Sequence, residues 1–201
     1  MTKRLRNNSI NEPSQYIFQT VPDSEAGIEI AQAYYHQMFT DIFLELHGPI
    51  CAYLARLVRS DDLGCDLAQE TFLRVWKGLP TKQPEIPPRP WCFRIATNIA
   101  YSYLRRQKLI RWQSWDQLTQ TEVTSIVGPE ESICNKELIE KTLGLLPLRQ
   151  RTCLLLKVYS ELSDYEIAQV LGIKENSVSA NLTRARQRFY TLFTRMGGDV
   201  I

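Results

Sequence analysis

Long stretches of the chain repeat apolar residues at steps of three and four, the period of helices with one buried face. The sharpest case is residues 162–189, LSDYEIAQVLGIKENSVSANLTRARQRF. Ser163, with Glu166 three residues on, predicts a capping box at a helix start, and Ile167, Val170 and Leu171 form that helix's apolar stripe. Gly172 suits a left-handed exit from the helix, and Ile173 plugs the corner. In the next helix Val178, Leu182, Ala185 and Phe189 recur at steps of four, three and four and point inward. Ser177, Asn181, Arg184 and Arg188 keep the same rhythm on the opposite side. Small polar groups near its start and cations near its end suit a helix-turn-helix whose second helix enters a DNA major groove, with arginines on phosphates. An ordinary helical hairpin with a solvated basic face satisfies the same spacing.

The upstream pattern predicts more helices. Residues 1–22 are polar and irregular, with Pro13 and Pro22, and predict a loose arm. A helix is expected from Asp23–Ser24 through IEIAQAYYHQMFTDIFLELH, ended by Gly48–Pro49. A second, ICAYLARLVRS, has Ile50, Leu54 and Leu57–Val58 at core spacing. Asp61–Asp62 are expected to cap a third, LGCDLAQETFLRVW, with Leu63, Leu67, Thr71 and Val75 on one side and Phe72 and Trp76 widening it. The other side carries Asp66, Gln69, Glu70, Leu73 and Arg74. A leucine set among charged residues on an exposed face marks many protein contacts, although single exposed leucines are also normal.

Residues 78–90, GLPTKQPEIPPRP, read as a stiff loop, with Pro90 suited to the first turn of the next helix. In WCFRIATNIAYSYLRRQK the expected core stripe is Cys92, Ile95–Ala96, Ile99 and Tyr103. Arg94, Thr97, Asn98, Tyr101 and Arg105 form the other stripe, without an acid. Cations grip phosphates and aromatics stack on unpaired bases, so this mixture favours single-stranded or melting DNA over a merely solvated basic face. Residues 112–133 predict a linker, with Trp112 and Trp115 as docking side chains. Helical pattern resumes at about Cys134 with KELIEKTLGLL, breaks at Pro147, and continues as a buried helix in RQRTCLLLKVYS.

Charge sharpens this division although the formal net charge is only +2. Residues 89–111 hold six cations (Arg89, Arg94, Arg105, Arg106, Lys108, Arg111) and no acid. Residues 112–133 hold four acids (Asp116, Glu122, Glu130, Glu131) and no cation. From 174 to 195 five cations face Glu175 alone. Two basic modules around an acidic connector suit a bipartite polyanion binder. With 44% hydrophobic residues and nine glycines in 201, the expectation is an all-α protein, of one domain or two small helical ones by length.

No apolar run approaches the ~20 residues of a membrane span, and the basic start lacks a signal-like apolar core, so no membrane partner and a cytoplasmic location are expected. Five dispersed cysteines without a CxxC pair, and two isolated histidines, predict reduced, mostly buried thiols and neither a metal site nor a cofactor. There are no paired carboxylates, nucleophile–base set or phosphate loop, so no catalytic residue is nominated and no enzymatic activity is expected.

Three blocks, DLAQETFLRVW, PWCFRIATNIAYSYLRR and LPLRQRTCLLLKVYSELSDYEIAQVLGIKENSVSANLTRARQRF, together resemble a bacterial RNA polymerase sigma factor of the extracytoplasmic-function (ECF) group, over about residues 37–112 and 134–192. The resemblance implies an N-terminal arm (1–22), a region-two-like helical bundle (23–111), a flexible acidic linker (112–133), a region-four-like helix-turn-helix domain (134–196) and a tail (197–201). It implies bacterial RNA polymerase core and promoter DNA as partners, commonly with an anti-sigma factor. Asp66, Gln69, Glu70, Leu73 and Arg74 would grip the polymerase clamp helices. Arg89, Arg94, Thr97, Asn98, Tyr101, Arg105, Arg106 and Lys108 would capture the minus-ten element as it melts. Lys174, Asn176, Ser177, Ser179, Asn181, Arg184, Arg186 and Arg188 would read the minus-thirty-five element, with this domain leaning on the polymerase flap.

The chain departs from that family pattern in places. Ser179 and Asn181 stand where a basic residue and an arginine are common, which implies altered upstream preference, since arginine prefers guanine and asparagine adenine. Lys174 replaces a usual capping serine, and Pro88 and Pro90 stiffen a loop that is usually more polar. Two other readings fit parts of the chain: a polymerase-binding protein with degenerate promoter reading placed by another DNA-targeting partner, and a plain helix-turn-helix regulator, which leaves residues 61–106 without a role.

Overall fold

The computed structural model describes the backbone of residues 25–79, 88–113 and 131–198, and side chains at 29–79, 88–109 and 137–198. Among these residues the chain forms seven helices: α1 (Glu25–Val58), α2 (Asp61–Gly78), α3 (Pro88–Gln113), α4 (Glu131–Gly144), α5 (Leu148–Tyr159), α6 (Asp164–Leu171) and α7 (Glu175–Arg195). The all-helical expectation holds. The arm at 1–22 and most of the proline-rich loop lie outside the described residues.

The expected break at Gly48–Pro49 does not occur; α1 runs through it. A proline inside a helix costs about 3 kcal/mol or more. Against this, Ile42, Leu46, Ile50, Tyr53, Leu54 and Leu57 form one unbroken buried stripe that crosses the proline in register. Each large apolar side chain contributes about 1.5–3 kcal/mol on burial, so continuing the helix wins.

Helix α2 begins after Ser60, not at an aspartate cap: the Ser60 hydroxyl accepts from the Leu63 N–H, and Asp61 and Asp62 occupy the first turn. Gly64 makes the α1–α2 hairpin possible, because a Cβ there would lie 2.5 Å from the Ala55 Cα. Leu67, Thr71, Phe72 and Val75 are buried as expected, whereas Trp76 is 41% exposed against His36 and Phe39.

Helix α3 starts at Pro88, which leaves Pro90 in its first turn as expected. Its buried side holds Cys92, Ala96 and Ile99 and also Phe93, Thr97 and Ala100, so it is wider than the single stripe read from spacing. The expected linker is narrowed from both ends, since α3 reaches Gln113 and α4 starts at Glu131; the remainder lies outside the described residues.

In the second bundle Pro147 precedes α5, and Cys153, Leu155 and Leu156 are buried beneath it. The Ser163–Glu166 capping box is present, and Gly172 ends α6 with φ 62°. Ile167, Val170, Val178, Leu182 and Ala185 meet in the core between α6 and α7, while Phe189 is partly buried. The described thiols divide: Cys92 and Cys153 are buried, Cys65 is exposed and Cys51 half-buried, while Cys134 lies outside the described side chains.

The two bundles are packed together through α1 with α5 and α3 with α6, and their buried apolar residues form one cluster. Polar contacts tie the seam. Arg89 donates to the Ser160 carbonyl at 3.1 Å and pairs with Glu45 at 2.7 Å and Glu161 at 3.5 Å. The Arg56 guanidinium lies 5.3 Å from the centre of the Tyr159 ring.

Candidate polymerase and nucleic-acid interfaces

The outward side of α2 presents Asp66, Gln69, Leu73 and Arg74 to solvent, with Glu70 half-exposed. Arg74 donates to Glu70 one turn back at 2.6 Å, and Leu73 stands 61% exposed. The five residues therefore share one face: an apolar knob beside an ion pair, turned away from the buried Leu67–Thr71–Val75 side.

The stripe expected on α3 is divided by the fold. Arg94, Asn98, Arg105, Arg106 and Lys108 are exposed. Thr97 is not on that surface: it is 2% exposed, donates to the Phe93 carbonyl at 2.7 Å and shares a 2.8 Å hydrogen bond with the Tyr53 hydroxyl. Lying four residues after Phe93, it belongs to the buried side of the helix. Tyr101 is half-buried, and its hydroxyl donates to Thr152 Oγ1 of α5 at 2.9 Å. Thr152 in turn donates to the Leu148 carbonyl. Burial pushes the Tyr101 phenol above its ordinary value, with the Thr152 hydrogen bond opposing. Arg89 is not free for phosphate either, being half-buried among Glu45, Ser160 and Glu161.

On α7 most of the expected groups remain accessible. Asn176, Ser179, Arg184, Arg186 and Arg188 are exposed, and Ser177 and Asn181 half-exposed. Lys174 occupies the N-cap without a side-chain capping bond, as its chemistry implies. Ser179 donates to Asp164 Oδ2 at 3.1 Å, and Asp164 also accepts from Lys157 at 2.9 Å. The Lys157 hydrogen bond, outweighing burial, holds the Asp164 carboxyl below its ordinary range; Ser163 does the same for Glu166. The Asn181 amide donates to the Ser177 carbonyl at 2.7 Å, leaving its own oxygen to accept.

A depression of about 420 Å³ is lined by Arg149, Asn176, Ser177, Ala180, Asn181 and Arg184. Arg149, from α5, joins this site although α7 spacing gives no sign of it; only the tertiary packing of α5 on α7 brings it there. Among the described residues no group of three or more His, Cys, Asp or Glu has metal-holding geometry, and no helix is long and apolar enough to cross a membrane.

This division into a surface on α2 and two cationic helices on separate bundles matches known proteins in both halves. The family model of Sigma-70 region 2 matches residues 42–110, and that of Sigma-70, region 4 matches residues 136–189. The ECF RNA polymerase sigma factor SigM of Bacillus subtilis is 26% identical over 159 residues, covering 79% of this chain and 97% of that protein. The sigma factor CnrH of Cupriavidus metallidurans is 29% identical over 156 residues, covering 73% of this chain and 82% of that one. The solved sigma factor RpoE of Bartonella quintana, in complex with the anti-sigma factor NepR, shares the fold with a TM-score of 0.68 at 22% identity, over 79% of this chain and 98% of that one.

The chain belongs to the ECF family of sigma factors. Proteins of this family bind RNA polymerase core and direct it to promoters, so the helix-turn-helix is part of a two-module promoter reader and not a free-standing regulator.

Proposed function

We propose that the outward face of α2 docks the chain on the polymerase clamp helices, that α3 engages the minus-ten element as it opens, and that α7 reads the minus-thirty-five element with its domain against the flap. The observation that carries this reading is the exposed Leu73 knob set beside the Glu70–Arg74 pair on a face that none of the described residues covers. On α3 the reading rests on Arg94, Asn98, Arg105, Arg106 and Lys108, with Thr97 and Arg89 as structural supports. Tyr101 joins them only after α5 withdraws, since its hydroxyl is held by Thr152. The chain performs no chemistry of its own; it acts in the cytoplasm, where polymerase is. An anti-sigma factor, as bound by the RpoE and CnrH relatives, fits as a further partner.

The test is run-off transcription with bacterial core polymerase on a promoter library. Leu73→Asp is expected to abolish polymerase binding while the fold persists; unchanged binding would remove the α2 face from the reading. Asn181→Ala is expected to relax preference at one upstream position, at about 1–3 kcal/mol of discrimination. The engagement of Ser179 with Asp164 and of the Asn181 amide with Ser177 favours a second reading, in which polymerase docking is kept and upstream reading is weak. Under that reading Asn181→Ala leaves the selected promoters unchanged.

A further inference from the structure

Between the two bundles, α3 and α5 leave an open cleft of about 710 Å³, to which Asn98, Tyr101, Arg105 and Lys108 contribute from one side and Leu148 and Arg151 from the other. No acid is among its described lining residues. Arg151 is out of place there by ordinary rules. It is 8% exposed, its Nε has no hydrogen-bond partner, and no described carboxylate lies within ion-pairing distance. The groups that act on it are Arg59, of like sign, and the neutral Tyr101 phenol, whose hydroxyl is already given to Thr152. A guanidinium stays protonated under all ordinary conditions, so it cannot escape by neutralising itself. Only its Nε is fully shut off from solvent, and a largely desolvated charge without a counter-charge is costly in a folded protein. An anion in the cleft removes that cost.

We propose that this cleft binds a small phosphorylated ligand of mononucleotide size, with its phosphates held by Arg151, Arg105 and Lys108. The volume falls within the usual range for small-molecule sites. Three cations without an acid favour a multiply charged group over a single carboxylate, and the planar guanidinium fork suits phosphate oxygens. The half-exposed Tyr101 ring and the Asn98 amide supply a stacking surface and a hydrogen-bonding edge of the kind that holds a nucleobase. Such a ligand bridges α3 to α5, so it favours the packed arrangement. By linkage it then opposes whatever separates the bundles. That consequence for promoter opening rests on the reading of α3 given above; the binding itself does not.

The test uses the full chain without polymerase, in chloride buffer at constant ionic strength. Inorganic phosphate, pyrophosphate and magnesium-free ATP are titrated by calorimetry and by thermal unfolding. Pyrophosphate and ATP are expected to raise Tm by about 5–10 °C at roughly a hundredfold excess over their Kd. Arg151→Met is expected to unfold no earlier than the parent without ligand, because it removes an unpaired buried charge, and to lose the response to both probes. Arg151→Lys keeps the charge without the fork and is expected to bind about tenfold more weakly. A lowered Tm in Arg151→Met together with a full anion response would overturn the proposal, as would the absence of any response in the parent. Arg151-dependent binding of a short single-stranded DNA that ATP does not displace would also overturn it, by assigning the cleft to the promoter. Failure of the transcription experiment above would leave these titrations intact.

Discussion

Helices α3 and α7 look alike in sequence: each is long, cationic, and patterned with polar groups opposite an apolar stripe. In the fold they differ in how many neighbours they have. Helix α3 is flanked by α1 and α2 on one side and by the second bundle on the other, so its buried surface takes in Phe93, Thr97 and Ala100 and half of Tyr101. Helix α7 packs on α4, α5 and α6 with its inner side alone, where Val178, Leu182 and Ala185 are buried, and its outer cations stay in solvent. Periodicity reports the sides of a helix; the number of neighbours decides how many of those sides are covered.

Truncating one aromatic on each helix gives the largest separation between them. Phe93→Ala removes a fully buried ring and is expected to cost about 3–5 kcal/mol, read as a lowered midpoint in chemical denaturation. Phe189→Ala removes a partly buried ring stacked on Phe193 and is expected to cost about half as much. Equal losses would mean that α7 is as enclosed as α3.

A smaller effect separates the two sides of α3 itself. Thr97→Val keeps the shape but leaves the Tyr53 hydroxyl buried without its partner, at about 1–3 kcal/mol. Promoter selection is expected to be unchanged. Arg94→Ala should do the reverse, with stability altered by less than about 0.5 kcal/mol and open-complex formation reduced. If Thr97→Val instead altered start-site choice at unchanged stability, the sequence expectation for Thr97 would be right and its burial irrelevant to function.

These contrasts show which parts of the molecule were legible beforehand. Elements defined by chemistry within a few residues were readable: the Ser163–Glu166 box, the Gly172 exit and the outward face from Asp66 to Arg74 all stand where spacing puts them. Features decided by distant neighbours were not. The Gly48–Pro49 pair reads as a stop, yet a core stripe running from Ile42 to Leu57 overrides it. Thr97 and Arg89 read as DNA contacts because threonine and arginine suit that work, but Tyr53 in one case and Glu45 with Glu161 in the other had already claimed them. Arg149 and Arg151 drew no notice in a segment dominated by leucines, and only packing brings them to the α7 depression and the seam.

The smallest expected effect concerns acid, and it falls on the second bundle. Asp164 and Glu166 stand in the first turn of α6, and both carboxyls titrate below their ordinary values of 3.8 and 4.5, chiefly through hydrogen bonds from Lys157 and Ser163 respectively. A depressed folded-state pKa means that the unfolded chain takes up protons first as pH falls. The stabilisation is therefore complete above the ordinary values and is lost as pH drops through the lower folded ones. Asp164→Asn cannot ionise, so its deficit against the parent should be constant from neutral pH to about pH 5 and shrink below pH 4. Thermal unfolding across that range reads the deficit directly. Raising ionic strength should reduce it, because the Lys157–Asp164 pair is only partly screened from solvent. A deficit that stayed constant down to pH 3 would show that Asp164 holds Ser179 and Lys157 equally well when protonated, and that its charge contributes nothing to the start of α6.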